Sequence, residues 1–396
     1  MNEILTQAMT LSKEMVEVRR HIHQHAEAGL DLPVTSAYVK QKLEDMGYEV
    51  QRIGTSGLTA IAGDSKKGKT ILLRADMDAL PMREESGLSF ASATDAAHCC
   101  GHDMHTAMLL GAAKLIKTRE PHLCGSVKFL FQPGEETEFG ALRMLEHGIL
   151  ENPRPDAVLG LHVNAKAPAG RLDYGKGCTF SSSNNFDIEV IGRGGHAARP
   201  HETIDPIKVA NYIYSALQTL RSSETKPMDP LIFTITAIHG GSSYNTISDT
   251  VTMKGTMRAY DEEVRQKALK RIVEICEGVA QTFHAKAEVK FTMGVPPLYC
   301  SPEFTDELLS YAAEVGLPVI ASENEIKMGA EDFSFLTAEY PDTSGYLFLG
   351  AGPDEHSGFP YGQHSPKVVF NEEVMPYGAA VMAVCAMKWL QKHGDH

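Results

Sequence analysis

The segment SVKFLFQPGEETEFGALRMLEHGILENPRPDAVLGLHV, residues 126–163, decides the fold class of this chain. It begins with an apolar run of strand length and ends with another, and residues 139–148 between them show helical spacing. A strand, a helix and a second strand in succession are typical of α/β proteins. The segment therefore predicts an α/β fold with a largely parallel sheet.

The sequence on both sides of this segment continues the alternation of strands and helices. On its N-terminal side we predict a helix, two buried strands and a second helix, at 1–47, 59–63, 70–78 and 106–117. After about residue 293 a helix is followed by the loop MGAEDFSF, and then by a strand and a last helix, at 344–350 and 375–392. These two stretches are interpreted as parts of one domain.

The order of predicted strands and helices changes near Ser181, where the segment SSSNN is typical of a hinge. The order that follows is β-α-β-β-α-β, with strands at 186–192, 231–238, 250–260 and 287–293 and helices at 204–222 and 264–285. This order matches a split βαβ arrangement in a compact two-layer domain. We therefore predict an inserted domain, 183–293, within a discontinuous domain formed by 1–182 and 294–396.

Composition and charge narrow the class of function. The chain has 396 residues, of which 43% are hydrophobic and 22% are charged, as in ordinary globular proteins. A net charge of −14 without a dense Lys/Arg run argues against a nucleic-acid partner. The sequence has neither the apolar core of a signal peptide nor a run of membrane-spanning length. We expect a cytoplasmic protein with no membrane association, whose seven cysteines are reduced.

Candidate metal ligands lie where the predicted strands and helices of the first domain end or begin. Residues 98–105, HCCGHDMH, precede a helix, and GEE and GLHV end two strands. Sites in open α/β sheets gather at the carboxyl ends of strands. The candidates are Cys100, His102, Glu135, Glu136, His162 and, in the returning segment, His364. Thiolate, imidazole and carboxylate together suit Zn²⁺ or another first-row divalent ion, and more mixed ligands than one tetrahedral site with an open position requires favour two ions that share a bridging ligand.

Each of these short motifs also has a purely structural interpretation. Cys-x-His can be a buried thiol beside a surface imidazole, and GEE can be the charged start of a helix. His162 can be a hydrogen-bonded core histidine, and His364 can be a surface loop residue. Their joint placement at strand ends and loops favours the metal site. The other members of HCCGHDMH are predicted to shape or support the loop: His98, Cys99, Asp103 and His105.

A set of motifs spread from about residue 15 to residue 385 resembles one family of enzymes. The motifs are, in order, RADMDALP, CGHDMH, FQPGEE, GLHV, GRGGHAARPH, GGSSYNTI, GTMR, MGAEDF and QHSPKVVFNEE. The chain is similar to the metal-dependent amidohydrolases that include aminoacylases, hippurate hydrolases and auxin (indole-acetyl) amino acid conjugate hydrolases. The resemblance implies a zinc-aminopeptidase-like catalytic domain with an inserted ferredoxin-like βαββαβ domain that acts as lid and dimerisation domain.

The resemblance also implies roles for individual residues. The ligands of a two-metal site would be Cys100 as the bridge, with His102, Glu136, His162 and His364. Glu135 would be the general base that takes a proton from metal-activated water and later protonates the leaving amine. Asp78 would orient a ligand histidine, although it can equally be a turn residue at a strand end. We expect two divalent ions, zinc or manganese, with cobalt and nickel as alternatives.

The inserted domain carries three further candidates. His196 is implied to reach the active site of a neighbouring subunit and to stabilise the oxyanion, which predicts a homodimer or a dimer-based oligomer. Asn245 and Arg258 are implied to bind the substrate, because a guanidinium can bind a carboxylate through two bonds. From the residues alone, His196 is a surface histidine after a glycine turn, and Arg258 can be a solvated charge at a strand end.

We therefore predict a hydrolase that cleaves the amide bond of N-acyl amino acids, with acetyl, benzoyl or other acyl groups. A dipeptidase or a carbamoyl-amide hydrolase on the same scaffold is the alternative among enzymes. A metal-dependent binding protein without turnover is the alternative outside them. The presence of Glu135 together with all five ligands argues against the binding protein.

Overall fold

The computed structural model describes residues 3–323, 328–352 and 361–394. The chain divides into two compact units. The first unit comprises Met1–Thr179, Tyr299–Glu325 and Asp332–His396, and the second comprises Phe180–Leu298 and Ile326–Glu331. The predicted domain limits at 183 and 293 both fall inside the second unit. Among the described residues, no helix has the length and apolar character needed to span a membrane.

The N-terminal part of the first unit alternates helices and strands. Its elements are α1 (Glu3–Thr10), α2 (Ser12–Gln24), α3 (Pro33–Asp45), β1 (Val50–Ile53), β2 (Gly57–Gly63), β3 (Lys69–Asp76), α4 (His102–Lys117), β4 (Gly125–Gln132), α5 (Gly140–Glu146), β5 (Ala157–Asn164), β6 (Arg171–Tyr174) and β7 (Gly177–Phe180). The prediction of a single helix over 1–47 is wrong, and its first two residues lie outside the described ones. Gly29 has a positive φ of 86°, and Pro33 occupies the first turn of α3, so the chain turns between α2 and α3.

The second unit contains its own sheet and two helices. Its elements are β8 (Ser183–Ile191), β9 (Gly195–His196), α6 (Pro206–Leu217), β10 (Leu231–Gly240), β11 (Thr246–Ile247), β12 (Thr250–Ala259), α7 (Glu262–Thr282) and β13 (Lys286–Val295). Four strands form an antiparallel sheet in the order β10-β12-β8-β13, and β9 and β11 form a separate ribbon. Residues 183–185 of the predicted hinge belong to strand β8. The predicted helix to residue 222 is too long, because α6 ends at Leu217 and a π-helical turn, Leu220–Glu224, follows it.

The returning segment completes the first unit with β14 (Leu298–Cys300), α8 (Pro302–Ala313), β15 (Val319–Glu323), α9 (Ser334–Thr337), β16 (Ser344–Gly350) and α10 (Met375–His393). The eight-stranded sheet has the order β1-β2-β4-β3-β5-β16-β6-β15. Its centre, from β4 to β16, is parallel. β1 and β2 pair antiparallel with their neighbours, whereas β6 pairs antiparallel with β16 and parallel with β15. The sheet is therefore mixed, because short connections such as the one from β1 to β2 permit only antiparallel pairing.

The central strands of this sheet place the functional loops. Asp76 at the end of β3 pairs with Gln132 at the end of β4, and β5 runs parallel beside β3. The three loops that follow these strands therefore leave the same edge of the sheet. α4 and α10 are buried along most of their length against the core of this unit. This packing fixes the start of α4, which carries His102.

Candidate metal centre

The loop before α4 brings Cys100 and His102 against the end of β5. Gly101 between them has a φ of 97°, which favours glycine. A Cβ at this position would lie 2.4 Å from Val163 Cγ2, so any other residue would push the loop away from β5. Cys100 is 8% exposed and His102 is fully buried. The glycine therefore permits both candidate ligands to approach His162.

Asp78 joins His102 to the two glutamates. The carbonyl oxygen of Asp78 lies 2.8 Å from His102 Nδ1 and accepts a hydrogen bond from it, so Nε2 is the nitrogen that faces the other candidate ligands. The Asp78 carboxylate accepts the backbone N–H of Glu135 at 3.0 Å and that of Glu136 at 3.1 Å. The backbone carbonyl of Asp78 thus holds His102, while the Asp78 carboxylate holds the turn that carries both glutamates.

Glu135 and Glu136 begin a short 3₁₀ turn after β4. Gly134, with a φ of 77°, reverses the chain just before it. Glu135 Oε2 lies 3.8 Å from His102 Nε2, and Glu136 Oε1 lies 3.9 Å from the same nitrogen. Two adjacent carboxylates are therefore directed at one imidazole.

His162 and His364 approach this cluster from two other elements. The Nδ1 atom of His162 bonds the carbonyl of Val163 at 2.6 Å, and its Nε2 atom lies 3.4 Å from Cys100 Sγ. His364 has a φ of 65°, its N–H donates to the carbonyl of Cys99 at 3.0 Å, and its Nε2 lies 3.4 Å from Glu136 Oε1. The returning segment is thereby attached to the loop that carries Cys100.

The candidate ligands form two groups of three that share one residue. Cys100, His102 and His162 form the first group, and Cys100, Glu136 and His364 form the second; in each, the ligand atoms lie within 4.8 Å of one another. Two donors bound to one ion at ~2.0–2.3 Å in tetrahedral geometry stand about 3.3–3.8 Å apart. The 3.4 Å separations at His162 and His364 have this size.

Two unsatisfied polar atoms indicate that the cluster fits a metal. Among the described residues, His102 Nε2 and Glu136 Oε1 are buried without a hydrogen-bond partner. Buried polar atoms normally have one, and a bound cation would serve that purpose. One thiolate with imidazoles and carboxylates is a donor set for first-row divalent metals rather than for calcium or magnesium.

Arg74, Asp76 and His105 form a buried ionic group beside the candidate ligands. Arg74 Nη1 lies 2.7 Å from Asp76 Oδ2, and His105 Nδ1 lies 2.5 Å from Asp76 Oδ1. Burial would raise the pKa of Asp76, but Arg74, His102 and His105 hold it well below its usual range. The N–H of Val163 donates to His105 Nε2 at 2.9 Å, so it is the other ring nitrogen, Nδ1, that donates to Asp76. The backbone beside His162 is fixed in this way.

The electrostatics of the ligands follow from the same surroundings. Burial would lower the pKa of His102, but Asp76 and Cys100 beside it raise that pKa well above its usual range. Burial raises the pKa of the Cys100 thiol. The pKa of Glu136 is lowered: burial opposes this, but the adjacent imidazole of His364 and the charge of His102 outweigh it. The cluster thus combines acidic and basic ligands, of which His364 is exposed and the others are buried or half-buried.

Sequence reasoning did not single out Arg74, Asp76 or the role of Asp332. Asp332 accepts hydrogen bonds from Gln132 Nε2 and from the N–H of Ala141, both at 2.8 Å, and so ties the end of β4 to the start of α5. A signal for Asp76 was present, because Arg74 and Asp76 are two residues apart on β3 and so point to the same side of the sheet. For Asp332 the sequence spacing contains no comparable signal.

The remaining predicted site residues lie in the second unit. His196 is exposed on β9 and accepts the N–H of Ala198 at Nδ1, which makes Nε2 the protonated nitrogen. The carbonyl of Asn245 accepts the N–H of Ala197 at 3.0 Å, so Asn245 and His196 occupy one ribbon. Arg258 lies on β12, and its Nη1 atom is buried without a hydrogen-bond partner among the described residues.

Comparison with known proteins places the chain in a family. A model of peptidase family M20/M25/M40 matches residues 72–388. The chain is 38% identical to thermostable carboxypeptidase 1 of Saccharolobus solfataricus over 385 residues, which cover 96% of each chain. It is 38% identical to N-acetyl-L-cysteine deacetylase of Bacillus subtilis over 349 residues, which cover 87% of this chain and 82% of the deacetylase.

A solved structure agrees with these sequence matches. The YXEP protein of Bacillus subtilis, described as a dinuclear metal binding peptidase from the M20 family, superposes with a TM-score of 0.80 at 29% identity. The match covers 96% of this chain and 99% of that protein. The resemblance predicted from the motifs is thus confirmed. The chain belongs to peptidase family M20/M25/M40 and is a metal-dependent amidohydrolase.

Proposed function

We propose that the protein hydrolyses the amide bond of N-acyl amino acids, with two divalent metal ions as cofactors. One observation carries the proposal: two groups of three ligands share Cys100, and Glu135, which belongs to neither of them and forms a further group with His102 and Glu136, faces the same cluster. That arrangement supports five ligands and a separate base. The name of the Bacillus subtilis relative, a deacetylase of N-acetyl-L-cysteine, supports an N-acyl amino acid as substrate.

Glu135 is the proposed general base. Bound divalent ions supply Lewis acidity, which activates water and polarises the amide carbonyl. Glu135 takes the proton of the attacking water as the new C–O bond forms, and delivers a proton to the amine nitrogen as the C–N bond breaks. The products are a carboxylic acid and a free amino acid. The N–H of Glu135 is bonded to Asp78, which holds the base in position between these steps.

We assign the substrate contacts to the second unit. His196 carries its proton on Nε2 and is exposed, so it can donate to the oxygen on which negative charge develops. The buried, unsatisfied Nη1 of Arg258 supports a role in binding the carboxylate of the amino acid. The side-chain oxygen of Asn245 accepts from Ser243 Oγ at 3.0 Å, which leaves its amino group to face a ligand.

Zinc or manganese is the proposed metal, with cobalt and nickel as alternatives. The shared thiolate favours zinc, since sulfur ligands select soft metals. Metal analysis of the protein purified without added metal identifies the occupant.

Cleavage of a peptide bond next to a terminal carboxylate is a second candidate function. The Saccharolobus solfataricus relative is named a carboxypeptidase, and a guanidinium at Arg258 suits a peptide carboxylate as well as that of an acylated amino acid. A dipeptidase or a carbamoyl-amide hydrolase would use the same residues. Dipeptides and carbamoyl amino acids therefore belong in the substrate panel.

The proposed homodimer is supported by an exposed face of the second unit. β10 is an edge strand of its sheet, and an open edge can pair with a second copy. Large apolar side chains of α6 and β10 are also exposed beside this edge: Ile207, Tyr214 and Ile238. Sedimentation analysis tests the dimer. Mixing inactive Glu135→Gln and His196→Ala variants tests whether His196 acts across it, since activity should then partly return.

The decisive experiment is a substrate panel of N-acetyl, N-benzoyl and indole-acyl amino acids, tested on metal-loaded protein and its Glu135→Gln variant. The variant should lose about 10²–10⁴-fold in rate with unchanged metal content, because the amide keeps the shape of the side chain but cannot accept the proton. Glu146→Gln on the exposed face of α5 is the matched control. Two bound metals without turnover of any N-acyl amino acid would contradict the proposed substrate class.

A further inference from the structure

A chain of five charged side chains lies beside the candidate metal centre without belonging to it. Asp103 Oδ2 accepts from Arg19 Nε at 2.9 Å and lies 2.8 Å from His23 Nδ1. Arg19 continues to Glu372 at 3.0 Å, and His23 Nε2 continues to Glu84 at 3.0 Å. Arg19, His23, Asp103 and Glu84 each expose 5% or less of their side chains. We call this set the ionic chain.

Two members of the ionic chain, Asp103 and Glu84, reach the loops that carry candidate ligands. Asp103 directly follows His102, and its Oδ1 accepts the N–H of Met104 in the first turn of α4. Glu84 accepts the N–H of Ser92 at 2.6 Å, which organises the long loop before Cys100. The neighbouring residue, Glu85, donates its N–H to the carbonyl of Pro366, two residues after His364.

His23 is the central member because it joins two carboxylates. A neutral imidazole has one donor and one acceptor, so only the doubly protonated ring can donate to both Asp103 and Glu84. Burial would lower the pKa of His23, but these two carboxylates raise it to about 9. The nearby His98 adds no charge, since burial lowers its pKa to about 3. Removal of His23 would leave two buried carboxylates facing each other.

We infer that His23 is a positioning residue that holds the Cys100–His102 loop in register with the loop of His364. Its links to both loops run through Asp103 and Glu84, and none of its hydrogen bonds reaches a candidate ligand. This inference rests on the proposed function, because it concerns the same ligand set. A residue that only stabilised the fold would change the melting temperature alone, whereas loss of a positioning residue also changes how the metal is bound.

The test compares Co²⁺ binding by the wild-type protein with that of His23→Gln and Glu84→Gln. The readouts are the affinity for Co²⁺, and the thiolate-to-cobalt absorption band and ligand-field bands at full loading. We expect about 10–100-fold weaker binding and altered bands in both variants, as for other groups that orient metal ligands. His25→Gln, an exposed histidine at the end of the same helix, should leave both readouts unchanged.

Glu84→Gln keeps a hydrogen-bonding group beside His23, so the variant should still fold. A change in metal binding in this variant therefore reports a shift of the two ligand loops rather than unfolding. His23→Lys restores a buried cation at the same position and should recover part of the affinity. Wild-type affinity and bands in both His23→Gln and Glu84→Gln would overturn the inference, even if both variants melted at lower temperature. If the wild-type protein itself bound no Co²⁺, the proposed function would fail instead.

Discussion

Asp78 binds two parts of the candidate site through different atoms. Its carbonyl fixes His102, and its carboxylate holds the backbone of Glu135 and Glu136. Sequence motifs predicted that Asp78 orients a histidine; its carbonyl oxygen lies 2.8 Å from His102 Nδ1, and its carboxylate lies 3.6 Å from the same nitrogen. A substitution of its side chain therefore acts first on the glutamate turn. Gly101 also acts through its backbone, because the lack of a side chain lets the loop approach β5.

Gly101→Ala should destabilise the protein and weaken its metal binding. The new methyl group would lie 2.4 Å from Val163 Cγ2, and alanine disfavours a φ of 97°. Together these effects should cost about 2–5 kcal/mol in the free energy of unfolding. Urea denaturation of the metal-free protein measures this cost, and titration with zinc measures the loss of affinity.

Gly278→Ala is the matched control for this substitution. Gly278 lies inside α7, and a Cβ there would meet nothing within 4 Å. Alanine should therefore stabilise that helix by roughly 0.5–1 kcal/mol and leave zinc affinity unchanged. Equal effects of the two substitutions on metal binding would contradict the role given to Gly101.

At the scale of elements, α7 is a helix that its own sequence specifies. It begins with Asp261, whose carboxylate accepts the N–H of Val264, and it carries Glu262 and Glu263 in its first turn. Its buried residues recur at helical spacing and pack on the sheet of the second unit: Ala268, Ile272, Ile275, Cys276 and Ala280. Capping, charge and periodicity agree here, and the prediction of this helix was correct to within a few residues.

Asp261→Ala should remove this cap. The first turn of α7 would lose a hydrogen bond to one of its free N–H groups, which typically costs about 1 kcal/mol in the free energy of unfolding. The measurement is urea denaturation followed by circular dichroism, with zinc affinity as a second readout that should not change. Glu277→Ala on the exposed face of the same helix should alter stability by only a few tenths of a kcal/mol.

At the scale of the whole molecule, the chain builds two separate hydrophobic cores and places the candidate metal centre in one of them. The larger core joins α4 and α10 to the eight-stranded sheet, and the smaller one joins α6 and α7 to the four-stranded sheet. Around the first core, buried charges are balanced by long-range pairs such as Arg19 with Asp103 and Arg74 with Asp76. Stability should therefore depend on pH through these pairs.

The free energy of unfolding of the metal-free protein should fall between about pH 6.5 and 9. The pKa of His23 is raised to about 9 in the folded protein, so its stabilising effect is complete below its ordinary pKa and is lost as pH rises through 9. Asp103, Glu84, Arg19 and neutral His98 surround this ring. The loss should amount to roughly 3 kcal/mol.

In acid, the free energy of unfolding should fall as the pH is lowered rather than as it is raised. Burial opposes the change, but the bond to His23 and neighbouring donors lower the pKa of Glu84 to about 2, so its stabilising effect is present above pH 4.5 and disappears as pH falls towards 2. Urea denaturation from pH 3 to 9.5 measures both limbs. His23→Gln should abolish the decline above pH 6.5, and an unchanged slope in that variant would assign the decline to other groups.

The sequence by itself determined the α/β class, most strands and helices of both units, and the set of candidate ligands. It could do so because strand and helix periodicity, caps and short motifs are local, and each involves residues near one another along the chain. The sequence-based prediction of one N-terminal helix missed the break between α2 and α3, although Gly29 and Pro33 favour a turn there.

Only the tertiary structure decided how these residues are combined. It grouped Cys100 with His162 on one side and with Glu136 and His364 on the other, and it revealed the partners of Asp76 and His23. Arg19 and Asp103 are 84 positions apart, and Arg74 and Asp332 are 258 positions apart. Contacts of that range depend on how sheet and helices pack, and no local spacing encodes them.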